Sequence, residues 1–182
     1  LFTKKKLSEL FNNIDNSTLN SINAKRIYAL KNEYINTIEL VIEFLQNNNP
    51  TLAYEINEGE FLPEAGRFQD NQDLEWAFGT MGIRDKARHL CTLYLEDLAD
   101  FISETTDDFF GFSRYAERLG MSANSFDELY DSLQQKNTFI DDISLQILED
   151  LILQKKPNII TFSIPFPGNL YAAFKCGQFI KK

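Results

Sequence analysis

The 182-residue sequence is poor in the residues that build metal centres and covalent staples, with two cysteines, one histidine and two methionines. Cys91 and Cys176 lie far apart, and with the single His89 they fall short of a four-ligand zinc or iron–sulfur site. The two cysteines are therefore expected as reduced, buried thiols, with a disulfide between them as the alternative. Basic side chains are also scarce: 18 Lys and Arg face 27 Asp and Glu, a net charge of −9 and a pI near 4.7. Such a chain repels phosphate backbones and anionic lipid, which argues against nucleic acid and membrane surfaces as partners. No apolar run approaches the eighteen or so residues of a membrane span. The opening "LFTKKKLSELF" has neither an initiator Met nor the apolar core of a signal peptide, so the expectation is an excised piece of a longer cytoplasmic protein. Phosphate-binding glycine loops, nucleophile elbows, metalloprotease helix motifs and di-iron Glu-x-x-His pairs are all missing.

What the chain does have is helical period and aromatic bulk, with 16 Phe and 7 Tyr. Leu7, Leu10, Phe11 and Ile14 share one stripe of a first helix over 4–14, and a short segment follows over 24–30. Ile35, Ile38, Ile42 and Leu45 predict the inward face of the next helix, which "QNNNP" ends. Residues 51–82 read as less regular, with "NEGEFLPEAGRFQDNQD" mostly loop because of Gly59, Pro63 and Gly66, and "LEWAFGTMG" as a short helix or turn. Arg84 to Glu104 is the clearest helix, striped by Ala87, Leu90, Cys91, Tyr94, Leu95, Leu98 and Ile102. "DDFFGFSRYAERLG" predicts a short helix ending at Gly120. "SFDE" and "TFID" are capping boxes opening two more helices. The first carries Phe126, Leu129, Tyr130 and Leu133 inward. The second runs to Lys155 with Ile140, Ile143, Ile147 and Leu151 inward. "IITFSI" (159–164) then reads as a β-strand, followed by the loop "PFPGN" and a helix over 169–182.

The expected fold class is therefore mainly α. A helical, bundle-like insertion module (1–155) precedes a single C-terminal strand and helix (156–182) of a truncated, Rossmann-like α/β domain. A lone strand leaves both edges unpaired, so it should pair with a second copy of the chain, giving a homodimer, or be covered by helices.

Several constellations allow chemistry. His89 is a candidate base or ligand, or a solvated rim histidine. Glu55, Glu58, Glu60 and Glu64, with Arg67 nearby, form either an acidic functional loop or a solvated one. Trp76, Phe78 and Met81 suggest a packed junction or a pocket wall. At the carboxyl edge of the strand, Ser163, Pro165, Gly168 and Asn169 are the candidate cofactor-binding residues. Open α/β sheets bind ligands there, and the amides opening the helix at Asn169 suit an anion. A structural turn built from Pro and Gly is the competing account.

The tail "KPNIITFSIPFPGNLYAAFKCGQFIKK" resembles the third strand and following helix of a cobalamin-binding-like domain. With "NPTLAYEI", "FLPEAGRFQ", "DLEWAFGTMGIRDKARHLCTLYLEDLADFI" and "FGFSRYAERLG", nearly the whole chain resembles the N-terminal region of radical S-adenosylmethionine Fe–S oxidoreductases with a long helical insertion. The resemblance implies a parent enzyme with an iron–sulfur cluster, S-adenosylmethionine and cobalamin as cofactors, and makes the rest of the parent chain the partner. It places Ser163 at the family's S-x-L position, with Pro165 where Leu is usual. The cluster motif C-x-x-x-C-x-x-C and the cobalamin loop D-x-H-x-x-G are absent, so no catalytic or metal-binding residue carries over. A non-catalytic helical interaction module, its acidic face recruiting a basic partner, is the alternative.

Overall fold

The computed structural model describes residues 1–69, 82–108, 110–112, 126–166 and 168–181. They fall into two compact units, 1–105 and 106–182. The N-terminal unit holds α1 (Lys4–Asn12), α2 (Ile22–Ala29), α3 (Lys31–Leu45), α4 (Leu52–Glu58) and α5 (Ile83–Thr105), with 3₁₀ turns at Asn16–Thr18 and Gly66–Phe68. The C-terminal unit holds α6 (Asp127–Gln134), α7 (Phe139–Lys155) and α8 (Gly168–Ile180).

In the N-terminal unit, α5 is the central element, with α2, α3 and α4 packed against it. Its stripe Ala87, Cys91, Tyr94, Leu98 and Ile102 is fully buried, while Leu90 and Leu95 are half-buried at its margins. Leu7, Leu10 and Phe11 of α1 close the core, as their spacing predicts. The Phe11 and Phe101 rings lie 5.1 Å apart, and those of Tyr34 and Tyr94 4.9 Å apart. Two helix starts are capped by side chains: Thr3 accepts from the Lys6 amide, and Ser21 from the Ala24 amide. Ser21 also bonds Glu104 through its amide (3.1 Å) and hydroxyl (2.6 Å), fastening the start of α2 to the end of α5.

Two features depart from the sequence reading. Leu52–Glu58 is a helix within the stretch read as less regular. The buried face of α3 is Tyr34, Ile38, Val41 and Phe44, so the expected stripe shares only Ile38 with it. Ile35, Ile42 and Leu45 flank it half-buried.

The C-terminal unit is thinner. Leu129, Leu133 and Tyr171 form a small core with Leu170 against it. The Thr138 capping box is present: Thr138 Oγ1 accepts from the Asp141 amide and the Asp141 carboxylate from the Thr138 amide, each at 3.1 Å. Phe126 and Tyr130, expected inward, are half exposed. On α7 the buried residues are Asp141, Ile143 and Leu145, while Ile147 and Leu151 face water. Ser125 of the first capping box, the "LEWAFGTMG" segment through Met81 and the short helix ending at Gly120 lie outside the described residues.

The expected strand at 159–164 is not formed, and the described residues contain no strand. The physical reason is lateral: a strand exists through hydrogen bonds to a neighbour, and no described segment offers an edge. The segment is irregular, with Ile159 81 % and Phe166 68 % exposed, and no described segment of the chain pairs with it or covers it. The fold is thus helical in its described parts, without the α/β element, although the helix expected after it is present as α8.

The α3 face gives a direct check. Ile38→Ala should destabilise the N-terminal unit by about 2–5 kcal/mol, the cost of emptying a closed core position. Ile35→Ala should cost less than half of that. Urea denaturation followed by circular dichroism reads both.

Candidate functional site

The most elaborate arrangement in the N-terminal unit begins where α4 ends. Gly59 takes a left-handed conformation (φ 87°), turning the chain into the stretch that leads to Gly66–Phe68. That stretch returns over α5 and α2, where three consecutive backbone amides meet side-chain oxygens. The Asp97 carboxylate accepts from the Ala65 amide (3.2 Å) and the Arg67 amide (3.0 Å). Asn23 Oδ1 accepts from the Gly66 amide between them (2.7 Å). A Cβ on Gly66 would sit 2.7 Å from that oxygen, so any larger residue would displace the Asn23 side chain that holds the amide. The Arg67 guanidinium then grips Asp100 with two bonds (2.7 and 2.8 Å) and lies 3.6 Å from Glu96. Arg67 therefore serves helix α5, not the carboxylates Glu55, Glu58, Glu60 and Glu64 grouped with it in sequence. Those four are exposed, and no group of three potential metal ligands occurs among the described residues.

Asp97 is fully buried. Burial raises its pKa above the ordinary 3.8, outweighing the two amide bonds that pull it down. The Tyr34 hydroxyl nearby is buried without a geometrically formed hydrogen bond among the described residues, and its pKa is driven up first by burial and then by the neighbouring Asp97 charge.

The clamped loop forms one wall of an open cleft of about 590 Å³. Glu64, Ala65, Phe68 and Gln69 come from the loop, Arg26 from α2, Ile56 and Asn57 from α4, and Lys86 and Leu90 from α5. Asn57 Nδ2 donates to the Ala53 and Ile83 carbonyls (2.6 and 2.8 Å), joining α4 to the start of α5 along the same cleft.

The C-terminal unit has its own polar cluster. Lys175 and Asp141 are both almost fully buried, with Nζ 3.8 Å from Asp141 Oδ2. Tyr171 Oη donates to the same carboxylate oxygen at 2.9 Å, and Lys175 Nζ donates to Gln135 O (3.2 Å) and Asn137 Oδ1 (3.3 Å). A cavity of about 250 Å³ lies beside the cluster, walled by Phe110, Ile140, Leu145 and Ala172, with Ser144 and Cys176. Burial, and then the Asp141 charge, push the Cys176 thiol up. Tyr171 is held proton-bound by burial and by its bond to Asp141. The cluster is internally satisfied and caps α7, so its first role is to fix α7 and α8 together.

Of the residues expected at the site, Ser163 and Pro165 are exposed in the irregular segment. Gly168 opens α8, and Asn169 stands exposed in its first turn, its amide donating to the Phe166 carbonyl (3.0 Å). His89 is half-buried on α5. Both cysteines are free thiols: Cys91 is buried, its pKa pushed up to about 12 by desolvation, and Cys176 is half-buried. Trp76, Phe78 and Met81 lie outside the described residues. Sequence reasoning missed Asp97 and Lys175. Asp97 carried a usable signal: it falls on the apolar face of α5, three residues after Tyr94 and four before Phe101, where an acid needs an internal donor.

The raised Asp97 pKa sets a sign. The folded chain holds that proton more tightly than the unfolded one. Its contribution to stability is therefore full below pH 3.8 and is lost as pH rises through the shifted value. Urea midpoints measured across that interval should show wild type falling relative to Asp97→Asn. In the other unit, Lys175→Met removes the cation beside a buried carboxylate and should cost about 3–5 kcal/mol in the same assay.

Among the described residues no helix is long and apolar enough to cross a membrane. The chain matches no protein-family model, no curated protein and no solved structure.

Proposed function

We propose that the chain is the helical N-terminal portion of a cytoplasmic radical S-adenosylmethionine Fe–S oxidoreductase, and that its C-terminal unit docks against the rest of that parent chain. The observation that carries this reading is the apolar surface of the C-terminal unit. Ile147, Leu151 and Leu153 on α7, and Ile159, Phe162, Ile164 and Phe166 after it, are all substantially exposed. Apolar exposure on this scale suits a surface made to be covered. The segment resemblance supplies the identity of the cover.

The residues present do not fit the cofactors themselves. A radical cluster takes three cysteine thiolates, and this chain has two cysteines, one of them buried in the core of the N-terminal unit. The single histidine sits on α5 and not in a cobalamin loop. Ser163 and Pro165 converge with no other polar group among the described residues. Cluster, S-adenosylmethionine and any cobalamin accordingly belong to other parts of the parent, and no catalytic step is assigned here. The role of this chain is to cover a cofactor edge or to shape a substrate or partner surface.

The same exposed surface favours a second reading, a non-catalytic helical module that recruits a partner. One experiment separates them. The polypeptide carrying this chain, purified anaerobically and reconstituted with iron and sulfide, should show iron–sulfur absorption and cleave S-adenosylmethionine reductively to 5′-deoxyadenosine. A colourless, inactive protein would leave only the interaction module.

A further inference from the structure

The open cleft of the N-terminal unit has a composition at odds with its surroundings. In a chain with nine more acids than bases, it brings together Arg26 from α2 and Lys86 from α5. Neither side chain hydrogen-bonds or ion-pairs with a described residue, whereas Arg67, Arg84 and Arg88 in the same unit all have acceptors. Two cations without acceptors in one concavity form an electrostatic sink for an anion. With Glu64 on the same lining, the cleft carries a single net positive charge. Its remaining walls are the Phe68 ring, Ile56 and Leu90, an apolar surface beside the charged end. The volume, about 590 Å³, is that of a small-molecule site. One wall is also held in place beforehand, because Asp97 and Asn23 fix the amides of residues 65–67.

We propose that this cleft binds a small organic monoanion, with Arg26 and Lys86 receiving its acidic head and Phe68, Ile56 and Leu90 enclosing its apolar body. Asp97 and Asn23 are positioning residues: they touch no ligand and set the wall that carries Phe68. The inference stands apart from the parent-enzyme reading, since it uses only the geometry of residues 1–105.

Benzoate, its neutral isostere benzamide and inorganic phosphate test it on the intact chain, by titration calorimetry and amide chemical shifts. Benzoate should bind saturably, shift the Ala65 and Leu90 amides, and weaken as salt is raised. Arg26→Gln and Lys86→Gln should each weaken it about tenfold, the loss expected for one charge-assisted hydrogen bond. Lys25→Gln, on the same helix but outside the cleft, should leave it unchanged. Both cleft residues stand at the surface of the unit, and unaltered circular dichroism would confirm that the variants fold. The proposal is overturned if benzoate does not saturate, if benzamide binds as tightly, or if neither cleft substitution affects affinity. Phosphate binding as tightly as benzoate would also overturn it, by leaving the apolar walls without a role.

Discussion

A backbone amide withdrawn from water must find an acceptor, and the two units answer that requirement in opposite ways. Just past α4, the residues leading to Gly66 leave the helix, yet Ala65 is almost fully buried. Its amide and those of Gly66 and Arg67 are satisfied by Asp97 and Asn23, so that one buried carboxylate and one amide oxygen replace a helical turn or a strand edge. In the C-terminal unit, residues 159–164 have the composition of a strand but no acceptors arrayed beside them. They leave their polar groups in water and their apolar side chains exposed with them. The wall of the cleft and the uncovered surface of the other unit thus follow from one constraint.

Elements whose signals are local were legible in the sequence. The α7 boundaries follow from the Thr138–Asp141 box and from the loss of period after Lys155, and the inward face of α5 follows from an unbroken stripe. Features whose cause lies elsewhere in the chain were not. The face of α3 is ambiguous because Ile35, Ile42 and Leu45 are as apolar as the true set. What selects Tyr34 is the facing Tyr94, whose hydroxyl donates to the Tyr34 carbonyl from sixty residues away. Helix α4 is seven residues between Pro50 and Gly59, too short to outweigh that punctuation. The clamp joins positions thirty or more residues apart, and its acceptor reads as one more acid in an acidic helix.

Charge follows the same division. The excess of acid is not spread evenly, since Glu96, Asp97 and Asp100 of α5 are spent on the returning loop and its arginine. Arg84 and Arg88 are turned toward Asn47, a left-handed residue (φ 65°) just past α3. With those groups committed, Arg26 and Lys86 are the cations left facing the open cleft. The clamp therefore shapes the cleft by fixing one of its walls.

Helix α7 shows how much apolar surface the C-terminal unit leaves in water. An amphipathic helix at the edge of a finished domain keeps its apolar residues to one side. In α7, Ile143 and Leu145 are buried, while Ile147 and Leu151, which follow Ile143 along its own side of the helix, and Leu153 on another side all meet water. Apolar residues around most of a helix suit packing on more than one face. The exposed run from Ile159 to Phe166 continues that surface directly along the chain. Burying one such side chain is worth roughly 1.5–3 kcal/mol, so covering seven of them provides ample driving force for association, even after ordering costs are subtracted. The same arithmetic explains how a segment of strand-forming composition stays irregular here: no described segment packs on it to supply the apolar gain that would hold it in place.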